Sequence, residues 1–299
     1  MSSTTSPIIS VRPVIIPAPD RGVDLQVSVS APTTGVDLPV VVFAHGFGHS
    51  MNDYAPLADA WASSGFVVIQ PTLLDSHTLG LTPADPRYPE IWRIRVEDVT
   101  RVVDSLDLIE AAVPGLAGRV SRSRIAAAGH SWGGQTVGML LGARVLDADG
   151  IPGDNVRDPR ITAGVLLATT GTGEDLTPFA AENFAFMRPD FTGLTTSTLV
   201  VAGDADQSML STRGPDWFTD VYRLSPGATD LLTVAGGEHS LGGITGYGVT
   251  ATTDENPERV ALIQRVTTAW LRTALKLDDA AWPTVRAADA APVGRTVSK

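Results

Sequence analysis

A serine hydroxyl becomes a competent nucleophile only when a base takes its proton and the backbone lifts it clear of its neighbours. The segment Gly129-His130-Ser131-Trp132-Gly133 has the residues for that arrangement. It follows the apolar run Ile125-Ala126-Ala127-Ala128, which reads as a strand, and precedes a helical pattern. On a G-x-S-x-G turn the serine projects above the sheet, and the flanking glycines relieve steric conflict in the bend. The pattern alone is weak: with 29 glycines in 299 residues, chance supplies one in roughly every fifth such chain. A near-repeat, Gly48-His49-Ser50-Met51-Asn52, lacks the second glycine.

Context strengthens the signal. A serine nucleophile needs a histidine, and the histidine needs an orienting carboxylate. Where the serine sits on a strand-turn-helix, the chain order is Ser, then Asp or Glu, then His. Of the five histidines (His45, His49, His77, His130 and His239), only His239 follows Ser131. It lies in Gly236-Gly237-Glu238-His239-Ser240, just past the strand-like Leu231-Leu232-Thr233-Val234. The buried-strand pattern Thr198-Leu199-Val200-Val201-Ala202-Gly203 runs into Asp204-Ala205-Asp206. Asp206 is the expected orienting acid, with Asp204 in reserve as a residue that could instead cap the turn. A base must be neutral to accept a proton, so activity is expected to fall below about pH 6.5.

The charge that develops on an attacked carbonyl oxygen requires backbone N–H donors. Trp132 directly follows the serine. The loop His45-Gly46-Phe47-Gly48, after the apolar strand Pro39-Val40-Val41-Val42-Phe43-Ala44, offers the N–H of Phe47. His45 and His49 are four residues apart, but no third ligand accompanies them, so no metal is expected.

These residues need a scaffold. Residues 8–18 and 23–30 read as strands joined by a turn at Pro19-Asp20-Arg21-Gly22, the second alternating Val23, Leu25, Val27 and Val29 with polar residues. Helices are expected at about 53–63, 90–112 and 132–146, and strands at 66–69, 124–128, 161–168, 198–202 and 230–235. Glycines at 134, 138 and 142 suggest a smooth stripe where the helix after Ser131 lies close to the sheet. The last helix opens with Asn256-Pro257-Glu258, a cap, a first-turn proline and an acid at the positive end. Alternating strands and helices predict an α/β fold: a mainly parallel sheet of about eight strands with helices on both faces. Ligands in such sheets bind beyond the carboxyl ends of the strands, where all three candidate side chains fall. The expected organisation is one domain over 1–277 and a loose, Ala- and Pro-rich tail over 278–299.

Composition narrows the function. The chain is 43% hydrophobic and 18% charged, as globular proteins are, and its net charge of −11 argues against nucleic-acid binding. There is no cysteine, which excludes disulfides, thiolate metal sites and cysteine catalysis. No basic, apolar leader is visible and no apolar run approaches the ~20 residues of a membrane span, so a soluble, cytoplasmic protein is expected.

With these motifs in place the chain resembles the α/β-hydrolase superfamily over roughly residues 8–275. The layout is similar to the branch of dienelactone hydrolases, chlorophyllases, platelet-activating-factor acetylhydrolases and polyester-cleaving cutinases. The features are Val42-Phe43-Ala44-His45-Gly46-Phe47-Gly48, Ala62-Ser63-Ser64-Gly65-Phe66-Val67-Val68, Gly129-His130-Ser131-Trp132-Gly133-Gly134, and Arg95 and Asp98 before Val102-Val103-Asp104-Ser105-Leu106. Dienelactone hydrolases proper use a cysteine, which is absent here; the secreted cutinases usually carry a disulfide and a signal peptide. The resemblance implies a serine esterase with Ser131 as nucleophile, His239 as base then acid, Asp206 as its orienter, and Phe47 and Trp132 as oxyanion donors. No cofactor is implied. It also implies a short cap at 171–194, holding Phe179, Phe184, Phe186, Met187 and Phe191. With Phe47, Trp132, Met209 and Leu241, the first four of these are expected to form an apolar pocket for a small-molecule or polyester-like ester. Segment 75–90, with Asp75, His77, Pro83 and Tyr88, is a second expected rim. Rival readings are a lactonase, amidase or cofactor-free perhydrolase with the same triad, and a non-catalytic binding protein on the same fold. Haloalkane dehalogenases and epoxide hydrolases need an aspartate where Ser131 stands.

Overall fold

A computed structural model describes residues 6–82, 84–246, 252–288 and 292–299. Its strands are β1 (Ile8–Ile16), β2 (Leu25–Pro32), β3 (Leu38–Ala44), β4 (Val67–Pro71), β5 (Val120–His130), β6 (Arg144–Val145), β7 (Ile161–Leu167), β8 (Pro189–Asp190), β9 (Ser197–Gly203), β10 (Ala228–Val234) and β11 (Gly294–Ser298). The helices are α1 (Ala55–Ser63), α2 (Ile91–Asp104), α3 (Leu106–Ala112), α4 (Trp132–Leu140), α5 (Pro178–Asn183), α6 (Asp220–Leu224), α7 (Pro257–Ala274) and α8 (Ala281–Ala288).

Among the described residues nine strands form one sheet in the order β1-β2-β4-β3-β5-β7-β9-β10-β11, and β6 pairs with β8 apart from it. The six strands from β4 to β10 are mutually parallel, while β2 and β11 run antiparallel to their neighbours. The central strands β3, β7 and β9 are apolar almost throughout because helices cover both faces. Parallel strands put their carboxyl ends on one edge. The loops after β3, β5, β9 and β10, which carry Phe47, Ser131, Asp206 and His239, therefore open on the same side.

Local chemistry explains several boundaries. The Asn256 side chain accepts the N–H groups of Glu258 and Arg259 at 2.9 and 3.2 Å, and Pro257 occupies the first turn of α7. The helix expected over 90–112 is instead two helices broken at Ser105. Periodicity hides the break, because the buried Val99, Val102, Val103, Leu106 and Ile109 keep a three-or-four spacing across it. The helix after Ser131 stops at Leu140, short of the expected 146. Gly142 follows with φ +119° and comes so close to the Gly193 carbonyl that a Cβ would lie 2.4 Å from it. The stripe reading holds only at Gly134, against Thr169; a Cβ at Gly138 would meet open space.

The described residues of 278–299 do not form a loose tail. They supply α8 and β11, the latter pairing with β10 from Asp230↔Ser298 to Val234↔Gly294, which raises the main sheet to nine strands. The anchor is Asp230. Its buried carboxylate accepts Trp270 Nε1 at 3.1 Å, Trp282 Nε1 at 3.2 Å and Ser298 Oγ at 2.5 Å. Asp230→Ala orphans two buried indole donors at about 1–3 kcal/mol each. The expected result is a lower Tm and rapid tryptic cleavage at Arg286; unchanged proteolysis would count against this anchor. Among the described residues no helix is long and apolar enough to cross a membrane.

Candidate active site

Ser131 sits where β5 turns into α4, with φ 56° and ψ −122°, a backbone region that side chains other than glycine rarely adopt. The bend is enforced by close backbone approach. A Cβ at Gly129 would lie 2.2 Å from the Gly133 carbonyl oxygen, and one at Gly133 would lie 2.0 Å from that of Ala44. Any larger residue at either place would push β3, β5 and α4 apart. The Ser131 N–H donates to Leu167 O at 2.9 Å, tying the turn to β7.

The three side chains singled out by chain order meet here. His239 Nε2 lies 2.9 Å from Ser131 Oγ, and His239 Nδ1 lies 3.0 and 3.2 Å from the two Asp206 carboxylate oxygens. A carboxylate only accepts, so Nδ1 carries the proton and Nε2 is free to accept from the serine. Asp206 is fully buried, and burial pushes its carboxyl pKa up, against the pull of its hydrogen bond to His239. Asp204 is exposed and accepts the Gly236 N–H at 2.6 Å; it caps the turn and does not reach the imidazole.

The loop holding His239 is braced at its backbone. One Asp254 carboxylate oxygen accepts both Glu238 N–H (2.9 Å) and Gly242 N–H (2.8 Å), on either side of the histidine. The His239 carbonyl accepts from His130 Nε2 at 2.7 Å. Neither brace is legible in a single sequence, since neither belongs to a local pattern.

The loop after β3 is held as firmly. His45 Nδ1 donates to Gly46 O at 2.7 Å, and its Nε2 accepts the Leu73 N–H at 2.9 Å. Both ring nitrogens are thus engaged, and burial lowers the His45 pKa to about 4, so it is a neutral brace. Among the described residues no cluster of three His, Asp or Glu could hold a metal ion. Arg95 lies beneath, fully buried and ion-paired with buried Asp75. Its guanidinium also donates to His45 O (2.5 Å) and Thr136 Oγ1 (3.0 Å), while Asp75 accepts the Gly48 N–H at 3.2 Å. Asp75, expected on a rim, is therefore a buried partner of Arg95; Pro83 of the same segment lies outside the described residues. Among the described residues the N–H groups of Phe47 and Trp132 donate to no protein acceptor, so both are available to a ligand oxygen.

The aromatic residues divide in a way their sequence positions do not reveal. Rings follow one another from His77 to Phe47 (5.6 Å), Trp132 (5.8 Å), Phe186 (5.1 Å, nearly parallel), Phe184 (6.1 Å) and Phe179 (6.0 Å). Only some of this strip can touch a ligand. Phe47, Phe179 and Met209 are 49%, 53% and 78% exposed, and Phe184 is partly so. Leu241 (0%) and Met187 (4%) are core residues, which corrects their expected place in the pocket. Trp132 and Phe186 are also buried. The Trp132 ring is fixed between the Arg95 guanidinium, 4.6 Å from its centroid, and Phe186. Phe186 is pinned by Gln135 Nε2, which donates to its carbonyl at 2.8 Å, so the inner end of the 171–194 segment is bonded to α4. Phe186 also lines a cavity of about 640 Å³ with Tyr88, Trp92, Leu146, Ala181 and Arg188. Phe218, not singled out from the sequence, packs 5.6 Å from the His239 ring.

No curated protein matches the chain. A sequence profile described as the alpha/beta hydrolase family matches residues 41–295, well over half of the chain. The match begins in β3, takes in the loops bearing Phe47, Ser131, Asp206 and His239, and ends within β11. Profile, parallel sheet and strained serine turn agree, and the chain belongs to the alpha/beta hydrolase family.

Proposed function

We propose that the protein is a serine hydrolase that cleaves carboxylic esters through an acyl-enzyme on Ser131. The observation that carries this reading is the unbroken hydrogen-bonded line from Ser131 Oγ through His239 to Asp206, at 2.9 and 3.0 Å. Ser131 Oγ attacks the ester carbonyl as His239 Nε2 takes its proton. The resulting imidazolium is stabilised by Asp206, and the carbonyl oxygen gathers negative charge between the N–H groups of Phe47 and Trp132. His239 then gives its proton to the departing alkoxide, leaving the acyl group on Ser131. Water attacks that acyl group with His239 again as base, and the carboxylic acid leaves. The half-open imidazole and the exposed Phe47, Phe179 and Met209 favour an apolar ester approaching from solvent.

The test is a panel of p-nitrophenyl esters of increasing acyl length, with a nitrophenol burst equal to the enzyme concentration that vanishes in Ser131→Ala. An enzyme that turns over amides or lactones but no linear ester would redirect the substrate class, and peroxide-dependent turnover would indicate a perhydrolase.

A pH dependence follows. A general base works only unprotonated, so kcat/KM is expected to fall toward acid pH. Desolvation lowers the pKa of buried His45 and His130, which favours their neutral forms. A rate that stays flat from about pH 5 to 8 would contradict base catalysis by a histidine.

A further inference from the structure

We propose that Tyr54 and His130 form a positioning relay that couples the loop of the oxyanion donor Phe47 to the loop of His239; this rests on the esterase reading above. The Gly46 N–H donates to Tyr54 Oη at 3.1 Å, next to Phe47. Tyr54 Oη lies 2.9 Å from His130 Nδ1, and His130 Nε2 lies 2.7 Å from the His239 carbonyl oxygen. The directions are fixed by chemistry. A carbonyl only accepts, so His130 Nε2 donates; a neutral imidazole then accepts at Nδ1, so the Tyr54 hydroxyl donates there.

Gly46, Tyr54 and His130 are all buried. Desolvation keeps His130 neutral and the Tyr54 phenol protonated, so the bond directions persist across the working pH range. Tyr54 is held for this task in a costly backbone state, φ +64°, and its own N–H donates to Thr245 O at 2.9 Å, just beyond the His239 loop. The space is filled: a Cβ on Gly46 would lie 3.0 Å from Tyr54 Oη and 3.3 Å from His130 Nδ1. His130 is thus more than a spacer between Gly129 and Ser131. It fixes the peptide of His239 from the end of β5, as Asp206 fixes its ring.

The experiment compares Tyr54→Phe, His130→Gln, His130→Leu and Tyr54→Phe/His130→Leu with the wild type, using p-nitrophenyl butyrate and burst titration to count functional sites. Per titrated site, kcat is expected to fall about tenfold to a hundredfold in Tyr54→Phe and His130→Leu, the effect of small misplacement, with KM within about twofold. His130→Gln, which keeps an N–H near the former Nε2, should recover part of the loss. The double variant should lose much less than the product of the single losses, because the two residues act as one unit. An unchanged kcat per titrated site, with only Tm lowered, would make the pair ordinary core packing and overturn the relay while leaving the esterase reading intact. A wild type that hydrolyses no p-nitrophenyl ester would overturn both.

Discussion

Asp206→Asn is expected to lower kcat by about 10⁴-fold with little change in stability or in KM. The carboxylate is fully buried and accepts from His239 Nδ1 with both oxygens, at 3.0 and 3.2 Å. An amide of the same shape can turn an N–H toward Nδ1. That favours the tautomer with its proton on Nε2, where it blocks acceptance from Ser131 Oγ. The imidazolium also loses its counter-charge. Asp204→Asn is the control: Asp204 is exposed and bonded to the Gly236 N–H, so kcat should stay within about threefold of wild type. Steady-state kinetics on one soluble ester decides the matter. A loss below tenfold in Asp206→Asn, or an equal loss in both variants, would mean that Asp206 does not orient the base.

The second large effect is expected at Arg95. Arg95→Leu leaves the Asp75 carboxylate buried with only the Gly48 N–H, an uncompensated charge costing about 3–5 kcal/mol. The Tm should fall on the order of 10 °C. Activity should fall as well, because the same guanidinium holds the His45 carbonyl and packs on the ring of Trp132. The double variant Arg95→Leu/Asp75→Asn separates the two consequences. Removing the orphaned charge should restore much of the stability, as measured by urea unfolding, yet leave kcat low because the loop before Phe47 is still untethered. Recovery of both together would make Arg95 a purely structural residue.

The sequence made the site more legible than its surroundings, for physical reasons. The glycines at 129 and 133 are demanded by backbone contacts a Cβ cannot share, so steric necessity wrote the serine turn into a five-residue pattern. Ser131, Asp206 and His239 could be named because parallel strands deliver their carboxyl ends to one edge, so chain order maps onto space. The apolar pocket was not readable in this way. Leu241 and Met187 have the same hydrophobic character as Met209, and only packing decides that the first two are core and the third is exposed. The C-terminal segment looked featureless because its order depends on Asp230, 52 residues before Trp282, whose indole it receives. Arg95 and Asp75 were both visible as residues, but their ion pair joins two segments whose contact no local pattern encodes.

The most direct test is the intact mass of the protein after brief exposure to a fluorophosphonate, followed by peptide mapping. The expected result is one phosphonyl group per chain, located on Ser131, abolished in Ser131→Ala and much slower in His239→Ala. An adduct on another residue, or equal labelling of the Ser131→Ala variant, would contradict it.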